Sequence, residues 1–249
     1  MDAPTVARLN AINREFYRRH ALSFDRTRRA PWPGWQRVAE LVSSLDRPSI
    51  LDVGCGNARF GLFLAPAHSR PIDYLGVDAS PRLLHLAASR GPSDWRWVEA
   101  DVVSGPLPLV GEFDLVTCFG VMHHVPGEST RRALLISLAE RVARGGHLAV
   151  SFWQFGDRPR FRDRALAWRR GVRGLGSLDL SQLEDNDFLL PWGEGSEPGQ
   201  EELPIRYCHF ADRAEARRLV GDLGLEPVDE FFADGNSGDL NLYHLLRRP

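Results

Sequence analysis

The residues in this chain that could do chemistry begin with one acid and two glycines. In Ser49–Asn57, S-I-L-D-V-G-C-G-N, a short apolar run ends at Asp52, and Gly54 and Gly56 follow before a stretch that reads as helix. Glycines where a strand turns into a helix let the backbone approach a ligand closely. A dinucleotide-binding turn calls for a third glycine three residues after the second, and Arg59 stands there. Asp52 would also repel a pyrophosphate seated beside the turn. An acid there suits a ligand with a positive amino group and no phosphate. Cys55, inside the turn, is required only to be small.

Three later positions fall where a nucleoside ligand needs them in an open α/β sheet, at the carboxyl ends of strands. Asp78, in Y-L-G-V-D-A-S, ends the second strand 24 residues after Gly54 and suits a pair of ribose hydroxyls. A helix cap before Ser80-Pro81 explains it equally well. Asp101, in V-E-A-D-V-V, ends the third strand and can accept an adenine exocyclic amine, with the Val102 N–H beside it. Taken alone, it is also an ordinary turn residue. Cys118–His124, C-F-G-V-M-H-H, ends the fourth strand, placing Phe119 by the cofactor and His123 and His124 toward an acceptor. S-adenosyl-L-methionine, a phosphate-free nucleoside with an amino group, meets all four conditions. For a hydroxyl or amine acceptor, His124 is the preferred general base of the two histidines. A capped turn before the next helix explains the pair as readily.

The elements that must position these residues alternate. Helices are expected over Pro4–His20 and from the P-W-P-G-W turn to about Leu45. Strands are expected near Ser49–Val53, Tyr74–Val77, Arg96–Ala100, Phe113–Phe119 and His147–Trp153. Between them come helices at Ala58–Ala65, Pro81–Ser89 and Ser129–Ala143, the last stopped by Gly145-Gly146. This order predicts a doubly wound α/β sheet. Residues 154–203 break the rhythm with an arginine-rich helix candidate and a long Gly/Ser/acid/Pro loop, an insertion or lid. A helix at Ala211–Leu223 follows, and two β-rich runs, Glu226–Ala233 and Leu240–Leu246, form a hairpin around D-G-N-S-G. One domain is expected over 1–249, divided into N-terminal helices (1–45), cofactor-binding core (46–153), insertion (154–203) and C-terminal helix and hairpin (204–249).

Composition sets bounds on this reading. A hydrophobic content of 43% and a charged content of 26% are those of an ordinary globular chain, and the net charge of −2 gives no global nucleic-acid signature. Basic blocks at 1–37 and 158–173 nevertheless flank the core, while 179–202 is acidic. The chain contains no lysine, which excludes Schiff-base and lysine general-base chemistry. Cys55, Cys118 and Cys208 are far apart and form no C-x-x-C pair, so no metal site is expected. With no apolar run of membrane-spanning length and no signal-peptide core, a cytoplasmic location without a membrane is the default expectation.

L-D-V-G-C-G-N, G-V-D-A-S and E-A-D-V-V together resemble the first motif, ribose acid and adenine acid of the class I S-adenosylmethionine-dependent methyltransferases. The resemblance covers roughly Leu45–Trp153 and implies a Rossmann-like seven-stranded sheet with helices on both faces and its last strand antiparallel. Outside the core, R-T-R-R-A-P-W-P at Arg26–Pro33, V-M-H-H, D-F-L-L-P-W at Asp187–Trp192 and R-Y-C-H-F at Arg206–Phe210 are similar to blocks of a narrower family. That family comprises the tRNA methyltransferases that esterify 5-carboxymethyluridine at the anticodon wobble position. It implies tRNA as substrate and a small activator protein as a possible partner.

A carboxylate acceptor is already ionised and needs cations to hold it, for which Arg28 and Arg206 are the candidates by bidentate pairing. His209 is placed with the catalytic residues as a group orienting the substrate, or else is a half-buried strand residue. Trp32, Trp192 and Tyr207 are the further substrate-side candidates, the tryptophans either stacking on an extruded base or packing in the core or lid. Tyr17 either closes over the methionine moiety or packs its helix. The alternatives are a small-molecule O- or N-methyltransferase with 154–203 as its lid, and an inactive cofactor- or RNA-binding scaffold. A nicotinamide-linked dehydrogenase is disfavoured by Asp52 and Arg59.

Overall fold

The computed structural model describes residues 1–28, 30–68, 70–108, 110–165, 178–192 and 204–249. Its central sheet has seven strands: β1 (Ser49–Val53), β2 (Asp73–Asp78), β3 (Arg96–Glu99), β4 (Phe113–Cys118), β5 (Val142–Trp153), β8 (Glu226–Ala233) and β9 (Asn241–Arg247). The order is β3-β2-β1-β4-β5-β9-β8. The first five strands run parallel, while β9 runs antiparallel to both neighbours, β5 and β8. This is the expected doubly wound sheet. The chain reverses its direction of travel between β1 and β4, and the carboxyl ends of those strands open a crevice there.

Strand geometry sends successive side chains to opposite faces, and both faces are buried. Leu51, Val116 and Val150 pack under α5 (Glu128–Ala139) and α7 (Arg213–Gly221). Their neighbours Ile50, Leu115 and Ala149 pack on the other face with Trp35 of α2 (Trp35–Glu40) and with Phe60 and Leu64 of α3 (Arg59–Ala67). α4 (Pro81–Arg90) is capped by Ser80, whose side chain accepts from Leu83 N.

Helix α1 (Ala3–Thr27) runs longer than expected. Asp2 caps it by accepting from Thr5 N, and its buried Leu9, Asn10, Asn13 and Phe16 form one stripe at helical spacing. α2 ends at Glu40, short of Leu45, and a turn follows. Gly145 and Gly146 do not stop a helix. They lie inside β5, where Gly146 has backbone oxygens of Phe113, Asp114 and Ala143 within 3.0 Å of the place a Cβ would take.

Two further strands stand where no strand is expected, β6 (Asp187–Pro191) in the insertion and β7 (Ile205–His209) just after it, paired antiparallel in a small sheet of their own. Of the arginine-rich helix candidate, Pro159–Arg162 forms the short α6, and 166–177 lie outside the described residues, as does the loop 193–203. Among the described residues, no helix is long and apolar enough to cross a membrane.

Candidate active site

A cavity of about 1390 Å³ opens at the carboxyl ends of β1, β2 and β4 and is roofed by α1. Its floor is the glycine turn. Gly54 (φ 74°), Gly56 (φ 55°) and Ala58 (φ 60°) alternate in the left-handed region, which glycine enters without steric penalty. The Gly54 and Cys55 N–H groups both donate to Val77 O, at 2.7 and 3.0 Å, pinning the turn to the end of β2. A Cβ on Gly54 would stand 2.1 Å from Val121 Cγ2, whereas one on Gly56 would meet nothing within 4 Å. The third left-handed position is thus Ala58, two residues after Gly56.

Asp52, Asp78 and Asp101 line one side of the cavity. Asp52 accepts from the Tyr74 hydroxyl at 2.6 Å and from Thr117 Oγ1 at 2.8 Å. Burial pushes its carboxyl up to about 6, opposed by those two hydrogen bonds. Asp78 accepts from Gly56 N at 2.9 Å and Ser80 N at 2.8 Å, so it braces the glycine turn and leaves the helix cap to Ser80. Burial raises its carboxyl as well. Asp101 accepts from Asn10 Nδ2 at 2.8 Å, Ser104 Oγ at 2.7 Å and Val103 N at 3.1 Å, so it is also the turn residue of its plain reading. Val102 and Phe119 line the same cavity.

The opposite side is basic. Arg28, Arg206, Arg160 and Arg164 line it together with Trp32, Trp153, Trp192 and His123. Arg206, on β7, is only 7% exposed, yet no carboxylate lies within ion-pair distance of it among the described residues, and its Nε has no hydrogen-bond partner. Its guanidinium lies 5.3 Å from the Phe16 ring centroid and 5.8 Å from that of Trp153. Arg28 is likewise without a carboxylate partner there; burial lowers its pKa, and the charge of Arg206 lowers it further. Trp192 meets Phe16 edge-to-face at 5.6 Å, and Trp32 is tilted against Trp35 at 5.3 Å while covering the Arg59 guanidinium.

His124 lines the cavity, but both its nitrogens are engaged. Nδ1 lies 3.0 Å from Tyr207 O, which can only accept, so Nδ1 carries the proton. Nε2, 3.0 Å from the Tyr17 hydroxyl, therefore accepts from it. Burial and the Arg206 charge push this imidazole down to about 3, against the bond to Tyr207. Burial and His124 hold His123 well below its ordinary value. These are features of neutral, structural imidazoles and unsuited to the general base expected at His124. His123, His124 and Cys208 bring potential ligand atoms within 4.8 Å of one another. The engaged His124 nitrogens and the facing arginines make that cluster a poor cation site.

His209 and Tyr207 correct the sequence reading. On β7 only alternate residues share a face, so Arg206 and Cys208 look toward His124 and the cavity, while Tyr207 and His209 look behind it. The Tyr207 hydroxyl donates to Asp187 at 2.6 Å. His209 Nδ1 lies 2.8 Å from Asp187 and its Nε2 3.1 Å from Glu215, in a buried cluster completed by Arg131 and Glu184. Burial disfavours charge on His209, but the bonds to Asp187 and Glu215 outweigh it and raise its pKa. Neither residue borders the cavity. The cluster instead clamps the small sheet, and with it Arg206, onto the core. Asn10, Asn13, Asn57 and Trp153 shape or support the site and were missing from the expected set, while Tyr17 was weighed as a cover for the methionine moiety or as helix packing. Only the stripe of α1 could have signalled Asn10 and Asn13.

The fold and this geometry can be set beside known proteins. Residues 51–148 match the family model described as "Methyltransferase domain". The chain is 32% identical over 113 residues to the ubiquinone biosynthesis O-methyltransferase of Dechloromonas aromatica, covering 43% of this chain and 45% of that protein. It is 26% identical over 191 residues to the probable tRNA methyltransferase 9B of Homo sapiens, covering 72% of this chain and 34% of that protein. The matches thus span less than half the length of these curated relatives. The magnesium protoporphyrin IX methyltransferase of Synechocystis, solved with bound S-adenosylmethionine, superposes with a TM-score of 0.58 at 18% identity, covering 96% of each chain.

Proposed function

With residues 51–148 a methyltransferase domain on the class I fold, we propose that the chain methylates an acceptor carboxylate at the expense of S-adenosyl-L-methionine, the acceptor being a carboxymethyl-modified wobble uridine in tRNA. The cavity suits this cofactor. Asp52, Asp78 and Asp101 line one side, the turn offers open backbone at Gly56, and a phosphate-bearing cofactor would meet three acids there. Asp52 would face the amino group, Asp78 the ribose, and Asp101 with Val102 the adenine, with Phe119 beside them. When bound, the cofactor supplies an electrophilic methyl group on a sulfonium.

The observation that carries the acceptor assignment is Arg206 beside Arg28. A guanidinium 7% exposed and without a carboxylate partner among the described residues is costly to hold, and a ligand anion offsets that cost. Planar guanidinium matches planar carboxylate with two parallel hydrogen bonds. A pre-ionised carboxylate also asks nothing of a base, in keeping with the engaged nitrogens of His124. Trp32, Trp153 and Trp192 supply flat apolar faces on which an extruded base can stack. The tRNA assignment further draws on the blocks around Arg28, His123-His124, Trp192 and Arg206, and on the resemblance to tRNA methyltransferase 9B.

Transfer of labelled methyl from S-adenosylmethionine to bulk tRNA, set beside a metabolite extract, tests this function. Label in tRNA that mild alkali releases as methanol is expected. Label confined to the metabolite extract would instead assign a small-molecule O- or N-methyltransferase, the class of the ubiquinone relatives.

A further inference from the structure

Helix α1, the turn at Met122–His124 and strand β7 meet at one hydrogen-bonded knot beside Arg206. The Tyr17 hydroxyl donates to His124 Nε2 at 3.0 Å, and His124 Nδ1 donates to Tyr207 O at 3.0 Å. Asn13 closes the loop, accepting from Tyr207 N at 2.9 Å and donating to His124 O at 3.3 Å. Every donor on this path has an acceptor, and its direction is set by the two backbone carbonyls. Arg206 precedes Tyr207 on the strand, and its charge acts on both the Tyr17 hydroxyl and His124.

We propose that Tyr17 and His124 are a positioning pair that aims Arg206 at the acceptor's anionic group, and that they restrict the site to acceptor oxygens already ionised on arrival. This rests on the carboxylate reading above and adds to it a rule of specificity. An ionised carboxylate gains the methyl group and sheds no proton. An alcohol or amine must lose one, and the lone pair on His124 Nε2 that would take it is occupied by the Tyr17 O–H. Tyr17 could only relay a proton, passing its own to His124, and the Arg206 charge opposes a proton on that imidazole.

The surroundings keep the pair in this state. His124 is faced by Tyr17 from α1, by Arg206 and Cys208 from β7, by His123 from its own turn, with ring centroids 4.0 Å apart, and Arg28 lies across the cavity. The charge acting on His124 is that of Arg206, a cation, so an added proton on the imidazole is opposed. Tyr17 is pushed up to about 12 by burial, with Arg206 opposing and Cys208 and Asp78 adding to the rise.

Two measurements test this. Nitrogen-15 NMR of the histidine side chains should find His124 neutral and protonated on Nδ1 from pH 5 to 9. Protonation of His124 above pH 5, or a proton on Nε2, overturns the pair whatever the acceptor proves to be. In kinetics with an anticodon stem-loop RNA carrying 5-carboxymethyluridine, kcat/KM should be flat between pH 6 and 9. Tyr17→Phe should raise KM about tenfold, with kcat within twofold and S-adenosylhomocysteine affinity unchanged, and His124→Asn should do the same. A kcat/KM limb with an apparent pKa between 6 and 8 that vanishes in Tyr17→Phe would make the pair a base and overturn the proposal. Failure of the wild type to use this RNA would count against the functional reading alone, and the NMR result would still decide the pair.

Discussion

The side-chain amide of Asn57 donates to the Asp25 carboxylate at 2.8 Å and to Arg28 O at 3.2 Å. The glycine turn proposed to receive the cofactor is thereby fastened to the end of α1 at Asp25 and Arg28. Arg90 of α4 adds a second anchor, donating to the other Asp25 oxygen at 2.8 Å. Asp25→Ala therefore removes a buried carboxylate from three elements at once, while Arg90 keeps access to water. A loss of about 2 kcal/mol in chemical denaturation is expected. Weaker S-adenosylhomocysteine binding should accompany it by calorimetry.

The two glycines of the turn should respond differently to a methyl group. Gly54→Ala combines a left-handed φ with a Cβ placed inside Val121, so a loss of about 3 kcal/mol or more is expected. Gly56→Ala meets no atom and should cost about 1 kcal/mol, from its positive φ alone. Thermal melts of the two variants without cofactor check the order. Equal losses would mean that the Val121 contact is unimportant.

The same turn shows how legible the site was. Strands β1, β2 and β4 were readable because their buried, apolar runs end abruptly in glycine or acid, and the carboxyl ends of these strands and of the more exposed β3 must share one edge of a parallel sheet. The acids Asp52, Asp78 and Asp101 followed from that geometry. The proposed acceptor side was harder, because Arg28, Trp192 and Arg206 come from the end of α1, from the insertion and from the strand after it, and the pairing of β6 with β7 has no local signal. Arg206, Tyr207 and His209 share the block R-Y-C-H-F that carries the family resemblance, yet the two-residue period of β7 cannot put all three on one face. The partners that claim Tyr207 and His209, Asp187 and Glu215, lie on other elements. Gly145-Gly146 misled for a related reason. Two glycines after a helical pattern read as a stop, and here the helix had already ended at Ala139.

Arg206 should be irreplaceable by another cation. Arg206→Lys keeps a charge but loses the planar fork, and Arg206→Gln loses both. About a 100-fold fall in kcat/KM is expected for Arg206→Gln, and a substantial fraction of it for Arg206→Lys. Cofactor affinity should stay unchanged in both, since the place proposed for Arg206 is on the acceptor side, across the cavity from Asp52, Asp78 and Asp101. Wild-type kinetics for Arg206→Lys would refute bidentate recognition.

Acid should weaken the fold through its buried neutral histidines. His244 is 4% exposed, packs edge-on to Phe152 and has no partner for Nε2. Burial pushes it down to about 4, only partly opposed by Glu230. Above about pH 6.5 both folded and unfolded chains carry it neutral, and its contribution is intact. As pH falls from there toward 4 the unfolded chain takes up the proton first, so stability is lost across that window, by about 3 kcal/mol for this one group. Denaturation midpoints of His244→Phe should fall less steeply with acid over this range than those of the wild type. His209 works in the opposite sense. Its raised pKa makes its contribution full below about pH 6.5 and lost as pH rises through the folded value.

The central claim is that Arg28 and Arg206 select a carboxylate, and it is tested most directly by changing only that group on the acceptor. Two anticodon stem-loop RNAs, one with 5-carboxymethyluridine and one with its carbamoylmethyl counterpart, would be offered to the wild-type protein with labelled S-adenosylmethionine. The account predicts label in the first alone, released by mild alkali as expected of a methyl ester. Equal labelling of both, or label that survives alkali, would contradict it.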